Sequence, residues 1–193
     1  MADGNTSKTN VMIVQRELRE KNIAEYLLYM WQVEDMIRAA GLDSDRLYDS
    51  VIKGSGQNDG VCRQWKQWYD DLIAMMRAEG KIERGHLQIN ENTLILLEEL
   101  HKRVLDSGSQ SEYRDLYYKA LPFIVEFRAR NHSLDEMELR DCFNMLYGVW
   151  ILKVQGRAVS ESTAQAVNAV SSFLGKLAML YNEDRNGTLD LDN

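Results

Sequence analysis

The sequence predicts an all-α protein, a single-domain bundle of about six to seven helices with one of them kinked near Pro122. Apolar residues recur every three or four positions over most of the chain, which is the spacing of one helix face. No segment alternates apolar and polar residues as a half-buried strand does. Five glycines closely follow the apolar runs, at positions where helices commonly end with a left-handed residue. These are Gly41, Gly54, Gly80, Gly108 and Gly156.

The first half of the chain predicts four helices. An apolar stripe extends from Val11 to Ala40, which predicts the first helix. The third predicted helix, from about residue 58 to 79, is expected to bury Trp65 and Trp68. A loop from Lys81 to Ile89 precedes the fourth helix, which Asn90 would cap. The four predicted helices are 11–40, 44–53, about 58–79 and 91–107.

The second half predicts three more helices. The fifth runs from Ser111 to Asn131, and Pro122 inside it removes a backbone hydrogen bond, which predicts a kink or two shorter pieces. Ser133 and Glu136 form a capping box for the sixth helix, which would bury Val149 or Trp150 and end near Gly156. The seventh begins at Ser160. Gly148 and Gly175 lie inside helices, where each costs about 1 kcal/mol relative to alanine, so we expect close backbone approach there.

Length and composition predict one soluble domain with polar ends. The chain has 193 residues, within the roughly 100–200 that form one domain. Residues 1–10 are predicted to be a disordered polar N-terminus, 11–181 the helical domain and 182–193 an acidic flexible tail. The N-terminal residues lack the apolar core of a secretory signal, so the predicted location is the cytoplasm. Cys62 and Cys142 are expected to be reduced, partly buried thiols.

The charge balance and the length of the apolar runs each exclude one class of partner. Lys and Arg number 23 against 30 Asp and Glu, which gives a net charge of −7. Binding to duplex DNA requires a basic surplus or stripe, and here positive and negative residues are interleaved. We therefore expect no nucleic-acid partner. No apolar run approaches the roughly 20 residues that span a bilayer, so we expect no membrane partner.

The segment from Glu25 to Arg38 holds the first candidate binding residues. Glu34 lies on the apolar stripe beside Trp31, and a buried carboxylate needs a hydrogen-bonding or cationic partner. Arg38, four residues further on, is expected to pair with it. Glu34 could bind a cation, act as a base or orient a ligand. The favoured interpretation is structural, a satisfied polar link between helices.

Two further candidate binding residues lie in the second half of the chain. His101 follows Glu98 in the Glu-x-x-His spacing of di-iron bundles, but the rest of that ligand set is missing. A core histidine bonded to a neighbour is favoured, and no metal is predicted. The same letters recur from Glu83 to His86, in a predicted loop. Arg128 lies at the end of an apolar helix face. It could bind an anionic ligand, form an ion pair with Glu34 across the bundle, or extend into solvent.

Catalytic motifs are missing from the sequence. There is no Gly-x-Ser-x-Gly elbow, no glycine-rich phosphate loop and no cysteine with a nearby histidine in sequence. The aromatic cluster at Trp65 and Trp68 is interpreted as core rather than as a base-stacking surface, because Asp70 and Asp71 follow it. No catalytic residue and no cofactor are predicted.

Three segments resemble a known family. They are Asn22-Ile-Ala-Glu-Tyr-Leu-Leu-Tyr-Met-Trp-Gln-Val-Glu-Asp35, Gly85-His-Leu-Gln-Ile-Asn90 and Leu121-Pro-Phe-Ile-Val-Glu126. On these residues the chain resembles domain-of-unknown-function family 4924, found chiefly in gut-dwelling Gram-negative bacteria, from about Val11 to Tyr181. The resemblance implies an all-helical, cytoplasmic single domain with no assigned activity, and it supplies no catalytic residues.

Two functional hypotheses therefore stand side by side. The first is a non-catalytic helical protein that binds a partner chain, itself as a homodimer, or a small ligand between helices. Nine methionines, nine tyrosines and four tryptophans can supply such contact surfaces. The alternative is an enzyme whose site is assembled from distant residues such as Glu34, His101 and Arg128, because active-site groups need to meet only in space.

Overall fold

The computed structural model of the chain describes residues 11–132 and 137–192. Within these ranges it confirms the all-α prediction, because eight α-helices and one π-helical turn account for all of the regular structure. The helices are α1 (Val11–Lys21), α2 (Ile23–Ala39), α3 (Ser44–Leu47), α4 (Asp59–Ala78), α5 (Gln88–Ser107), α6 (Ser111–Asn131), α7 (Glu138–Val154) and α8 (Glu161–Arg185). The π-helical turn, Tyr48–Ile52, directly continues α3.

The first predicted helix is in fact two helices, separated at Asn22. The side-chain oxygen of Asn22 accepts a hydrogen bond from the Ala24 N–H at 3.1 Å, which satisfies one of the free donors at the start of α2. The apolar spacing continues across this break, so periodicity alone did not reveal it. Asn58 caps α4, with the Val61 N–H donating to its side chain at 3.1 Å, so this helix starts within one residue of the predicted position.

The second-half helices follow the predicted boundaries closely. Helix α6 is continuous from Ser111 to Asn131, so Pro122 lies inside one helix and does not divide it. Ser160 caps α8 through the Thr163 N–H at 3.1 Å, and α8 runs to Arg185, beyond the expected limit at Tyr181. The predicted capping box of Ser133 and Glu136 lies outside the described residues, as does the N-terminal segment 1–10.

The described residues fall into two compact units. Unit 1 contains residues 11–21 and 25–91, and in it α4 packs against α1, α3 and the π-helical turn. Unit 2 contains residues 22–24, 92–132 and 137–192, and in it α6, α7 and α8 pack against one another in every pairing. Helix α5 starts in unit 1 and has most of its length in unit 2.

The core of α4 differs from the prediction. Trp65 and Trp68 are only half-buried, whereas Tyr69 is 4% exposed. The buried residues of α4 are Val61, Cys62, Tyr69, Leu72, Ile73 and Met76, so neither tryptophan is among them. The sequence left open whether Val149 or Trp150 is buried in α7. Val149 is the buried residue, and Trp150 is exposed.

The expected close approach at Gly148 and Gly175 is wrong. A Cβ atom added at either position would meet nothing within 4 Å apart from the helix's own backbone. Gly148 is exposed on α7 and Gly175 is half-buried on α8. Neither glycine is therefore required by tight helix packing.

Candidate functional site

The carboxylate of Glu34 is completely buried in unit 1 and accepts three hydrogen bonds. The donors are the Leu87 N–H at 3.0 Å, the Asn90 side-chain amide at 2.7 Å and His86 Nδ1 at 2.6 Å. Three donors replace the water that a charged carboxylate loses on burial, which is what makes its burial tolerable. The apolar spacing of α2 places Glu34 inward, and the chain returns at residues 86–90 to meet it.

Asn90 has a different role from the predicted helix cap. Helix α5 begins earlier, at Gln88, so Asn90 lies within its first turn and points its amide at Glu34. The Leu87 N–H, directly before α5, is among the backbone donors that a helix start leaves free. Glu34 satisfies it from α2, and the negative carboxylate also complements the positive end of the helix.

His86 connects this cluster to the surface. Its ring stacks on the Trp31 indole, with the ring centroids 4.0 Å apart and the planes 11° apart. Because an ionised carboxylate can only accept, Nδ1 of His86 carries the proton that is shared with Glu34. Nε2 makes no hydrogen bond to the described residues, and the side chain is 21% exposed. We call this arrangement the Glu34–His86 pair.

Arg38 does not pair with Glu34 as the sequence suggested. Its guanidinium contacts Asp35 at 2.6 Å and donates to two backbone carbonyls of the loop before α5, those of Lys81 and Gly85. Side chains at positions 34 and 38 lie on the same face of α2, but Glu34 is already saturated by the loop and by α5. Arg38 thus fastens the loop that carries His86.

His101 is enclosed by aromatic side chains of unit 2. Its Nδ1 lies 2.6 Å from the Tyr113 hydroxyl, and the rings of Tyr113, Tyr117 and Phe173 contact it edge-on. Burial, with a smaller effect of the Lys102 ammonium, lowers the pKa of His101 to about 4. The imidazole is therefore neutral at neutral pH.

Arg128 takes part in a group of polar side chains at the start of α7. Its Nε lies 3.2 Å from Asp141, whose carboxylate is buried. The nearby carboxylate of Glu98 accepts the Leu139 N–H at 3.1 Å, so an α5 side chain caps α7. Burial raises the pKa of Glu138, and one of its oxygens has no hydrogen-bond partner. Carboxylates at a helix start are favoured by the helix dipole.

The predicted binding residues divide between the two units. Trp31, Glu34 and Arg38 meet around one loop of unit 1, whereas His101 and Arg128 belong to unit 2 and have their partners there. Over residues 11–132 and 137–192, no group of three or more His, Cys, Asp or Glu side chains could hold a metal ion. Cys62 and Cys142 are both free and buried.

Unit 2 also contains an open apolar groove of about 410 Å³ between α6, α7 and the start of α8. This volume lies within the range of small-molecule sites, roughly 300–1,000 Å³. We call it the α6–α8 groove. Its lining residues are Phe123, Glu126, Phe127, Arg130, Asn144, Met145, Gly148, Val149, Leu152, Ser162, Thr163 and Ala166.

The charges at the groove neutralise each other, and its polar groups are few. Glu126 and Arg130 form an ion pair at 2.5 Å. The hydroxyls of Ser162 and Thr163 are each 2.9 Å from the Ser160 hydroxyl, at the end formed by α8. An apolar trough with a few hydroxyl groups at one end suits an uncharged, mainly apolar molecule.

The local sequence patterns identified neither His86 nor the α6–α8 groove as functional. His86 was assigned to a loop and given no role, although it lies in one of the segments that carry the family resemblance. The signal for the groove was Gly148, an unexplained glycine inside a helix. We interpreted that glycine as a close contact, and the structure shows open space there instead.

The comparison with protein families gives one match. Residues 12–188 match the model of a family described as a domain of unknown function, DUF4924. The chain belongs to this family. The match spans nearly the whole chain and assigns it no activity. No curated protein and no solved structure matches the sequence. Among the described helices, none is both long and apolar enough to cross a membrane.

Proposed function

We propose that the protein binds an uncharged, mainly apolar small molecule in the α6–α8 groove. The observation that carries this proposal is an open, apolar-lined space of about 410 Å³ within one unit. Two phenylalanines, Met145, Val149 and Leu152 supply apolar surface, and burying such surface is worth about 25 cal/mol per Å². The hydroxyls of Ser162 and Thr163 are positioned to orient one polar end of the ligand.

Gly148 supports the proposal independently. A glycine inside a helix costs about 1 kcal/mol relative to alanine, and a Cβ at position 148 would meet nothing. Packing therefore does not account for this loss of stability. The position lies on the groove wall, where a side chain would reduce the space for a ligand. Proteins commonly retain residues that lower their stability where those residues keep a binding site open.

Binding of the uncharged fluorescent probe N-phenylnaphthylamine tests the proposal. We expect the wild-type protein to give saturable fluorescence enhancement, because the probe enters an apolar trough. The Gly148→Leu variant should bind at least about 10-fold more weakly, a difference of roughly 1.4 kcal/mol, because the leucine side chain occupies the groove. Gly175→Leu is the matched control, since it also places leucine inside a helix where a Cβ meets nothing.

Either of two outcomes would contradict the groove as the binding site. One is the absence of saturable binding by the wild-type protein, and the other is an equal loss in Gly148→Leu and Gly175→Leu. Circular dichroism and thermal melting of both variants establish that they fold. Size-exclusion chromatography with light scattering identifies the competing case, in which a second copy of the chain covers the groove.

We propose further that the protein works in the cytoplasm of a bacterium, without a nucleic-acid partner. The free thiols of Cys62 and Cys142 support a reducing compartment. The net charge of −7 opposes attraction to phosphate backbones. Immunodetection in fractionated cells tests the location, and a periplasmic signal would contradict it.

A further inference from the structure

The Glu34–His86 pair presents one ring nitrogen to solvent in a defined chemical state. Glu34 accepts from Nδ1 at 2.6 Å, so the neutral imidazole keeps its proton on Nδ1 and its lone pair on Nε2. Nε2 has no partner among the described residues, and the side chain reaches the surface. A lone pair on an accessible imidazole nitrogen is a nucleophile.

The ring is also held in one orientation. Trp31 covers one face at a centroid distance of 4.0 Å, and Arg38 binds the carbonyls of Lys81 and Gly85 in the loop that leads to His86. On the other side, Leu87 and Asn90 are bound to the same carboxylate as His86. A nucleophile held in place loses little freedom when it reacts, which lowers the barrier.

A positive charge lies over the residue that directly precedes His86 in the loop. The Lys81 side chain folds over Gly85, and its Nζ is 3.5 Å from the position that a Gly85 Cβ would occupy. Gly85 directly precedes His86, so the ammonium lies against the residue next to the histidine. The other charges of the loop are the exposed Glu83 and Arg84, which balance each other, while Glu79 binds the Gln88 N–H. An ammonium beside a nucleophile favours an anionic electrophile.

We propose that His86 Nε2 accepts a phosphoryl group from a small acyl phosphate. In this step the Nε2 lone pair attacks phosphorus, an N–P bond forms, and the P–O bond to the acyl oxygen breaks with its electron pair leaving on the carboxylate product. No other reactant is consumed. The Nδ1 proton remains hydrogen-bonded to Glu34, whose negative charge stabilises the positive charge that develops on the ring. Glu34 is thus a positioning residue and His86 the nucleophile.

This inference is independent of the α6–α8 groove, which belongs to the other unit. Transfer of a group to an exposed atom does not depend on the apolar space that ligand binding in the groove requires. Failure of one proposal therefore leaves the other unaffected.

The test is incubation of the full-length protein with acetyl phosphate, followed by intact mass spectrometry and phosphorus NMR. We expect one added phosphoryl group, located at His86 by peptide mapping, stable to base and labile to acid, and attached to Nε2. His86→Gln should abolish the adduct. His132→Gln, which removes an exposed histidine outside this cluster, should leave it unchanged.

Variants of Glu34 and Lys81 distinguish an effect on the phosphorylation reaction from an effect on folding. Glu34→Gln should slow phosphorylation at least about 10-fold, as is usual when a residue that orients a histidine is changed, and should yield some Nδ1 adduct. A structural role alone would not change the site of attachment. Lys81→Gln should slow the reaction, and Lys81→Arg should restore part of the rate. No adduct, an adduct on His132, or an Nδ1 adduct in the wild type would overturn the proposal.

Discussion

Glu34 shows how one buried charge organises its surroundings. A carboxylate with no exposed surface is stable only when donors replace its lost water, and here a backbone amide, a side-chain amide and an imidazole do so. All three donors come from five consecutive residues, 86–90. A single side chain of α2 therefore binds this short segment at three of its five residues.

The position of Glu34 on an apolar stripe could be predicted from the sequence, but its partners could not. Helical spacing identifies neighbours three or four residues away, and on that basis Arg38 was the expected partner. The actual partners lie more than fifty residues further along the chain. Such pairings depend on how helices pack, and a single sequence does not contain this information in any local pattern.

His101 provides a pH-dependent prediction at the same scale. Its pKa falls from 6.5 to about 4 on burial, so the unfolded chain binds more protons than the folded one between these values. Stability should therefore decline as the pH falls from about 6.5 toward 4. From pH 7 to pH 5 we expect this residue to contribute a loss of about 2 kcal/mol.

Urea unfolding at pH 7 and pH 5 measures this effect. The His101→Gln variant is less stable at both pH values because it loses the contact with Tyr113, yet its stability should change less between them. An equal change in both proteins would show that other groups account for the pH dependence.

At the scale of the elements, helix ends were the best-predicted features. Gly41, Gly80, Gly108 and Gly156 all have positive φ angles just after helices, as the sequence pattern indicated. The errors occurred where a side chain made an unexpected bond. Asn22 ends one helix and begins another inside an unbroken apolar stripe, and Asn90 binds Glu34 rather than capping α5.

The two interior glycines predict a gain in stability on substitution. Gly148→Ala and Gly175→Ala should each raise the free energy of unfolding by about 1 kcal/mol, because alanine loses less backbone freedom and its Cβ meets nothing. Thermal or urea unfolding measures the change. Gly80→Ala is the opposite control, since its φ of +67° should make alanine destabilising by about 1 kcal/mol. A loss of stability at position 148 or 175 would contradict the open space seen there.

For the molecule as a whole, each compact unit contains one of the two cysteines. Cys62 belongs to unit 1 and Cys142 to unit 2, and both thiols are buried. Burial also raises the pKa of Cys142 well above its usual value, which lowers its thiolate fraction. Each thiol can therefore report on the opening of its own unit.

We expect both thiols to react with Ellman's reagent at least about 100-fold more slowly in the folded protein than in urea. Cys142, which is fully buried, should be slower than Cys62, which is 6% exposed near the start of α4. The Cys62→Ser and Cys142→Ser variants assign the two rates. Rapid reaction of Cys142 in the native protein would contradict its burial.

The fold class could be predicted in full from the sequence because helical periodicity is local, whereas the candidate site could be predicted only in part. Trp31, Glu34 and Arg38 share one helix and were found together. His86 was missed because a histidine in a loop has no local signature. The groove was missed because empty space between helices follows from packing, to which only Gly148 gave a clue.

The continuity of α5 has a practical consequence for anyone who divides the chain into fragments. The boundary between the two units falls after Glu91, one turn into the helix. The backbone N–H of Gln88, the first residue of α5, donates a hydrogen bond to the Glu79 carboxylate. A polypeptide starting at residue 92 would lose this first turn and begin with bare amide groups. An expression fragment of the second unit should therefore start before Leu87 and include a newly introduced capping residue.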